Sequence, residues 1–293
     1  MPINRPKSHD DICIIIINIM KADLHNHSYY SDGVLSPTEV VKLASQAGCD
    51  LFSLTDHDTT DGIAEAQLEA DSLNLNLING VEISALWRNM AIHILGLGVD
   101  INNDTLQTGL EHNQKLRKER AEKIALGLWR SGIKDALEKT QAFSKTEMLT
   151  RTHFAQMLIS EGYCKDMKSV FRRYLTGNKP GGVGVQWEGY DDVVKWIHAA
   201  GGKALIAHPL RYRMTNTKIK NMLIDFKDAF GDGLEVVTGS STQDEINLSS
   251  QWTKDYNLLA SCGSDFHGWP NQRLRIGNLK DLPDSDKAVW RYL

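Results

Sequence analysis

Short apolar runs alternate with stretches of helical period along most of this chain. The runs at 14–20, 50–55, 75–81, 92–97, 204–207, 233–237 and 258–261 predict strands, several of them rich in β-branched residues. Helices are predicted between them at 63–73, 191–200, 219–230 and 243–256. A further helix opens at Ser36-Pro37-Thr38-Glu39, where Ser36 can cap, Pro37 fits the first turn and Glu39 completes a capping box; Gly48 ends it. This alternation predicts an α/β fold, with parallel strands inside and helices outside, as in an α/β barrel.

The middle of the chain breaks the pattern. From 103 to 179 no strand is evident, while 112–129 reads as a charged amphipathic helix and 152–161 and 167–174 as shorter ones. The expected organisation is a leader and first strand at 1–20, a barrel built from 21–100 and 187–293, and a helical insertion at 101–186 covering the active site.

Composition narrows the class. With 293 residues, 41% hydrophobic and 24% charged, the chain is globular, and a formal charge of −4 excludes a generic DNA-coating protein. That total hides two opposed parts. Residues 101–186 hold 15 Lys and Arg against 9 Asp and Glu, a net of +6, so the remainder holds 18 against 28, a net of −10. Attraction for anions is therefore expected from the basic insertion, together with any cations held at the barrel mouth, while the outer barrel stays acidic. Cys13, Cys49, Cys164 and Cys262 form no C-x-x-C pair, so reduced thiols and a cytoplasmic location are expected. The apolar run at 12–20 is too short to span a bilayer and lacks a cleavage site after it, so neither a membrane anchor nor a signal peptide is expected; residues 1–11 read as a loose leader.

The histidines carry the chemical signal. His25 and His27 form an H-x-H after the first strand, and residues i and i+2 of extended chain point the same way. Asp32 follows in a turn. His57 ends the second strand, Glu82 ends the third, His93 lies on the next, His208 follows the strand at 204–207, and Asp265 and His267 follow the last. Six histidines and three carboxylates at or near strand ends converge on one face of a barrel, where active sites sit. They are too many for one ion, and mixed imidazole and carboxylate donors suit Mn, Zn or Fe. His9, His112 and His198 are expected to face solvent.

At these residues the chain resembles the PHP (polymerase and histidinol phosphatase) family of metal-dependent phosphoesterases. The matching segments are Asp23-Leu24-His25-Asn26-His27-Ser28, Ser31-Asp32-Gly33, Thr55-Asp56-His57-Asp58-Thr59, Gly80-Val81-Glu82-Ile83-Ser84, His93-Ile94-Leu95-Gly96, Ala207-His208-Pro209 and Gly263-Ser264-Asp265-Phe266-His267. The resemblance implies a distorted (β/α)7 PHP barrel, here with a helical insertion domain, and three divalent ions, Mn2+ foremost with Zn2+ or Fe2+ as alternatives. By the same resemblance, His25, His27, Glu82 and Asp265 hold one ion; Asp32, His57 and His267 hold a second; and Glu82 bridges to a third on His93 and His208. Arg151-Thr152-His153-Phe154-Ala155 and Gly177-Asn178-Lys179-Pro180 resemble the branch of 3′,5′-nucleoside bisphosphate phosphatases and a 5′-to-3′ exoribonuclease. Tyr29-Tyr30 and Gly181-Gly182 depart from the family pattern.

The expected activity is phosphate-ester hydrolysis by a hydroxide held between metal ions. Glu82, Asp265 and His267 are expected at the reacting centre. Arg151, Lys179, His153 and Ser31 are expected against substrate, and Asp56 and Asp58 are expected to orient His57 or a water. The substrate is expected to be a nucleotide or short RNA, with no membrane and no obligate protein partner. Three rivals stand beside this reading: a histidinol-phosphate phosphatase of the same family; an amidohydrolase, which would usually need a carbamate-bearing lysine or an equivalent carboxylate mid-barrel, and no strand-borne lysine fits; and a non-enzymatic metal-sensing or interaction module.

Overall fold

The computed structural model describes residues 20–269, 273–283 and 286–293. His9, Cys13 and the predicted strand at 14–20, apart from Met20, lie outside the described residues; Met20 itself is exposed and precedes the first strand.

Seven strands form one sheet in sequence order: β1 (Ala22–Asp23), β2 (Leu51–Leu54), β3 (Asn76–Trp87), β4 (Met90–Leu97), β5 (Lys203–Ile206), β6 (Gly233–Thr238) and β7 (Leu259–Gly263). The sheet curls until its ends meet, where the Leu24 N–H donates to the Cys262 carbonyl at 3.0 Å and the Asp265 N–H to that of His25 at 2.8 Å. The product is a distorted seven-stranded barrel. Helices α1 (Pro37–Gln46), α2 (Ile63–Leu73), α7 (Tyr190–Ala199), α8 (Asn216–Asp228) and α9 (Gln243–Tyr256) pack outside it. The Ser36 capping box at the start of α1 is fully formed.

The expectation of an all-parallel sheet is corrected at β4, which runs antiparallel to both β3 and β5. Arg88 and Asn89 take φ of 45° and 64°, a two-residue turn whose positive angles match the strand twist and fold β3 back on itself as a hairpin. Neither residue is glycine, so the turn carries no strong sequence mark. The third strand therefore runs on to Trp87, and Glu82 sits inside it rather than at its end.

Alternation then decides what faces inward. Val81, Ile83, Ala85 and Trp87 of β3, with Ile92 and Ile94 of β4, pack outward against Val193 and Ile197 of α7 and Phe226 of α8. Glu82 and His93, of opposite parity, face the interior, while Leu95 and Leu97 fill it lower down with Leu205 and Val237. The antiparallel turn brings the first half of β4 to the same mouth as the ends of the parallel strands.

Between β4 and β5 the chain leaves the barrel through α3 (Asp104–Arg130), α4 (Ala136–Gln141), α5 (Arg151–Ser160) and α6 (Met167–Val170), the last continuing as a π-helical turn at Phe171–Leu175. The first half of α3 packs on the barrel through Leu106 and Leu110. Its second half joins a separate core through Ala121, Ile124 and Leu128, with Phe154, Met157, Leu158 and Val170. One helix thus anchors the inserted segment to the barrel and nucleates the segment's own core.

Candidate metal centre and its cleft

The barrel mouth gathers all nine sequence-predicted ligands. His25 and His27 follow β1, and their imidazole Nε2 atoms lie 3.2 and 3.3 Å from the same Glu82 Oε2. Asp265 Oδ1 is 3.4 and 3.1 Å from the same two nitrogens. His57 Nδ1 is 2.9 Å from Glu82 Oε2, while His93 Nδ1 and His208 Nε2 are 2.9 and 3.0 Å from Oε1. Asp32 Oδ1 is 3.2 Å from His267 Nε2 and 3.8 Å from His57 Nε2.

Three ligand groups result, each with donor atoms within 4.8 Å of one another: His25, His27, Glu82 and Asp265; His27, Asp32, His57 and His267; and His57, Glu82 and His93. His208 adjoins the third through Glu82 Oε1. The donors are nitrogen and oxygen, a mixture that fits a divalent transition ion. His25 Nε2, Asp32 Oδ1, His57 Nδ1 and Glu82 Oε2 are buried and face their neighbours at ion-pair distance without a well-aligned hydrogen bond. Leaving such atoms unsatisfied costs about 1–3 kcal/mol each, a cost that coordination removes. The residues present therefore fit divalent metal ions.

Electrostatics agrees with that fit. Burial opposes ionisation of Glu82, yet the surrounding His57, His93 and His25 hold its carboxyl well below the usual carboxylate range. Burial likewise opposes Asp265 and Asp32, and the nearby imidazoles, His267 first, bring both well below it. Burial pulls His27 down, but hydrogen bonds to Asp265 and Glu82 outweigh it and push the imidazole up to about 10. Burial dominates at His57, lowering it to about 4 despite Glu82 and Asp32. Protons held against these carboxylates leave when a cation takes their place.

Backbone conformation sharpens the placement. Asp58, His208 and Asp265 take φ of 51°, 31° and 53°, left-handed angles rare outside glycine. Such strain persists where surrounding bonds over-determine it and clusters at functional sites.

Beside the ligands opens a cleft of about 470 Å³ between barrel and insertion, walled by His57, His93, Arg117, Arg120, Arg151 and Phe171 among others. Arg117 is tied down: its Nε donates to Asp58 Oδ2 at 2.6 Å and its NH2 to Ser84 Oγ at 2.9 Å. Asn113 and the Ser84 N–H complete the set around Asp58 Oδ1. Arg120 is not tied down in this way. Its Nε is buried without a hydrogen-bond partner, and burial with repulsion from Arg151 and Arg117 pushes the guanidinium down to about 8. An anion against Arg120 and Arg151 would remove that penalty.

The other predicted residues fall as follows. Arg151 lines the cleft and lies over the Phe171 ring at 5.8 Å. Ser31 is buried, donating to Asp56 Oδ1 at 2.6 Å. His153 is buried at the third position of α5, where its Nδ1 accepts the Thr150 N–H at 3.2 Å. Lys179 is exposed and is not among the cleft-lining residues. Asp56 accepts from Ser28 and Ser31, and Asp58 is engaged by Arg117, Asn113 and Ser84. The hydrogen bonds of both run to these groups rather than to His57, so of the two expected partners, His57 or a water, His57 is not the one they hold.

Sequence reasoning missed Arg117 and Arg120, because on a charged helix they look like a solvated face. It missed Thr152, whose hydroxyl donates to Asp32 Oδ2 at 2.9 Å, and Arg211, whose NH1 pairs with Asp265 Oδ2. It also missed Glu235, a lone acid in the apolar run of β6. That last residue had a readable signal, since a charge inside a buried strand needs a partner.

Comparison with known proteins places the molecule. A family model described as the PHP domain matches residues 23–242. A 3′,5′-nucleoside bisphosphate phosphatase of Chromobacterium violaceum is 42% identical over 272 residues, covering 92% of this chain and 95% of that one. A 5′-3′ exoribonuclease of Haemophilus influenzae is 40% identical over 273 residues, covering 92% and 98%. A solved structure from Chromobacterium violaceum, described as an amidohydrolase with bound sulfate and no metal, is 42% identical with a TM-score of 0.88, covering 93% and 95%. With the match spanning most of the chain and the ligand-bearing strands in place, this protein belongs to the PHP domain family.

Proposed function

We propose that this protein is a metal-dependent phosphoric ester hydrolase acting on nucleotides. Its substrates are 3′,5′-nucleoside bisphosphates, which lose the 3′-phosphate, and 5′-phosphorylated oligoribonucleotides, trimmed from 5′ to 3′. The observation that carries this reading is one cleft joining a buried ligand cluster to half-buried arginines, Arg120 and Arg151, the first with an unsatisfied Nε. A substrate with two phosphates matches both ends. The names of the two curated relatives support the same substrates.

Three divalent ions, Mn2+ foremost, would be held by the three ligand groups, with His208 added to the third. When bound they supply Lewis acidity, activating water and neutralising phosphoryl charge. The chain's own residues do the rest. Glu82, Asp265 and His267 line the reacting end, and Thr152 fixes the Asp32 carboxylate from the insertion. Arg120 and Arg151 receive the second phosphate, and Phe171 with Val183, Val185 and Trp187 gives the cleft an apolar wall for a base. The inserted segment thereby acts as the cap that selects substrate.

The amidohydrolase reading lacks its expected lysine. Among the seven strands the sole lysine is Lys203, at the start of β5 and 3.3 Å from Asp232. The reading also includes the cytoplasm as compartment, supported by the buried free thiols of Cys49, Cys164 and Cys262. No helix among the described residues is long and apolar enough to cross a membrane.

The test is a substrate panel with Mn2+ added, comparing a 3′,5′-bisphosphate nucleotide, 5′-phosphorylated and 5′-hydroxyl short RNA, histidinol phosphate and an amide. Release of phosphate or mononucleotide from the first two, with 5′-hydroxyl RNA poor, is expected. Turnover of only histidinol phosphate or the amide would overturn the proposal.

A further inference from the structure

Glu235 lies outside the nine ligands, yet it is 1% exposed and touches two of them. Its Oε1 is 2.9 Å from His25 Nδ1, and its Oε2 accepts the His208 backbone N–H at 2.6 Å. The two contacts reach different parts of the centre, His25 in the first ligand group and His208 beside the third.

The fold goes to some length to make this contact. In β6, Leu234 packs outward, so Glu235 faces the barrel. The register against β7 slips between Glu235 and Val237, a bulge of the kind that re-aims a side chain. Gly263 of β7, paired with Thr238 just beyond the bulge, lies against both side chains: a Cβ there would fall 2.2 Å from the His25 Cβ and 3.0 Å from Glu235 Oε1. Only a residue without a side chain lets the imidazole and the carboxylate meet there.

We infer that Glu235 is a positioning residue that prepares two ligands of the metal centre at once. By accepting at Nδ1 it directs His25 to present Nε2, the atom that faces Glu82 and Asp265 without a well-aligned hydrogen bond. By accepting the His208 N–H it holds that residue at its left-handed φ of 31°, which aims Nε2 at Glu82 Oε1. The inference rests on the metal-centre reading above.

The chemistry requires a carboxylate. Two separate oxygens accept two N–H groups, whereas a glutamine has one acceptor oxygen. In E235Q, either the amide NH2 faces His25 Nδ1 and drives the proton onto Nε2, where it blocks coordination, or it faces the His208 N–H donor to donor. Truncation in E235A opens instead onto the small cavity of about 40 Å³ already bounded by Glu235, His208, Arg211 and Ser241. A formate ion fits that enlarged space and restores both acceptors.

The experiment titrates Mn2+ into full-length wild-type protein, E235Q and E235A against a competing chelator, with circular dichroism to confirm folding. Affinity is expected to fall by about 10–100-fold in both variants. Added formate is expected to recover most of it in E235A and none in E235Q. At saturating Mn2+ the substrate KM is expected to match wild type, because Glu235 does not line the cleft. A folded E235Q with wild-type affinity would overturn the inference, as would an E235A that formate does not rescue. Should both variants fail to fold, a wild-type crystal structure with Mn2+ decides: coordination through His25 Nε2 supports it and through Nδ1 overturns it. Wild-type protein that takes up no metal would instead sink the metal-centre reading itself.

Discussion

The barrel mouth and the arginine cleft both bury charge, and they balance it in opposite ways. At the mouth, carboxylates and imidazoles alternate, so each charge meets its opposite and Glu82 alone touches five histidines. In the cleft, three guanidiniums crowd together, and among the described residues Arg117 alone of the three forms an ion pair, with Asp58. Arg117 and Arg120 sit one helical turn apart on α3 and differ in this respect. The first behaves as structure, and the second is the one that the proposed function assigns to a phosphate. Charge burial that stabilises needs a partner inside the protein, and charge burial that recognises a ligand leaves the partner to the ligand.

The comparison breaks most sharply at Arg117. Arg117→Met removes the partner of a fully buried carboxylate and is expected to cost about 3–5 kcal/mol in chemical denaturation at pH 7 with metals chelated. The pH dependence has a defined sign. Burial opposes ionisation of Asp58, but Arg117 holds its carboxyl below the ordinary value. The stabilisation is therefore fully present above the unfolded value near pH 4 and is lost as pH falls through the folded one. The deficit of the variant should shrink towards pH 3; a pH-independent deficit would mean that packing, not charge, ties Arg117 to the barrel.

Arg120→Met is the matched change with the opposite expectation. Removing a half-buried cation that repels its neighbours should leave stability unchanged or raise it by roughly 1 kcal/mol. The same change should raise KM for a 3′,5′-bisphosphate by about 10–100-fold, the scale of one charge-assisted hydrogen bond, and should affect a monophosphate far less. Equal losses on both substrates would erase the distinction between the two arginines.

The smallest effect belongs far from either region. Ser36→Ala removes the cap of α1 and is expected to cost about 1 kcal/mol with kcat/KM unchanged. The Glu39 carboxyl lies below its ordinary value, first through the Ser36 N–H and then through the Ser36 hydroxyl. The part of the deficit that comes from the Ser36 hydroxyl donating to Glu39 is present at neutral pH and lost as pH falls below about 4, so the gap between thermal melts should narrow there without closing, because the Glu39 N–H bond to Ser36 Oγ does not titrate.

The gathering of these nine side chains at one mouth was legible because their residue types are costly to bury without a function and their spacing follows strand periodicity. H-x-H after β1 and D-x-H after β7 state a shared face directly, and the helices at 63–73 and 243–256 match the structure residue for residue. The reversal at β4 was not legible, since Arg88-Asn89 gives no strong turn mark, and Glu82 was consequently placed at a strand end. The short α4 was missed altogether, being too brief for periodicity to register.

By itself, then, the sequence determined the alternation, the positively charged helical stretch in the middle of the chain, and the nine candidate side chains of metal-binding chemistry, because propensity, period and residue chemistry are local properties. Tertiary structure alone decided which ligands share an ion's reach, that Glu82 stands at their centre, that Arg117 is spent on Asp58 while Arg120 is not, and that Glu235 reaches two histidines across a bulge. Those outcomes depend on strand direction, register and the presence of partners distant in the chain. His25 and Glu235 are separated by 210 residues and meet over one glycine.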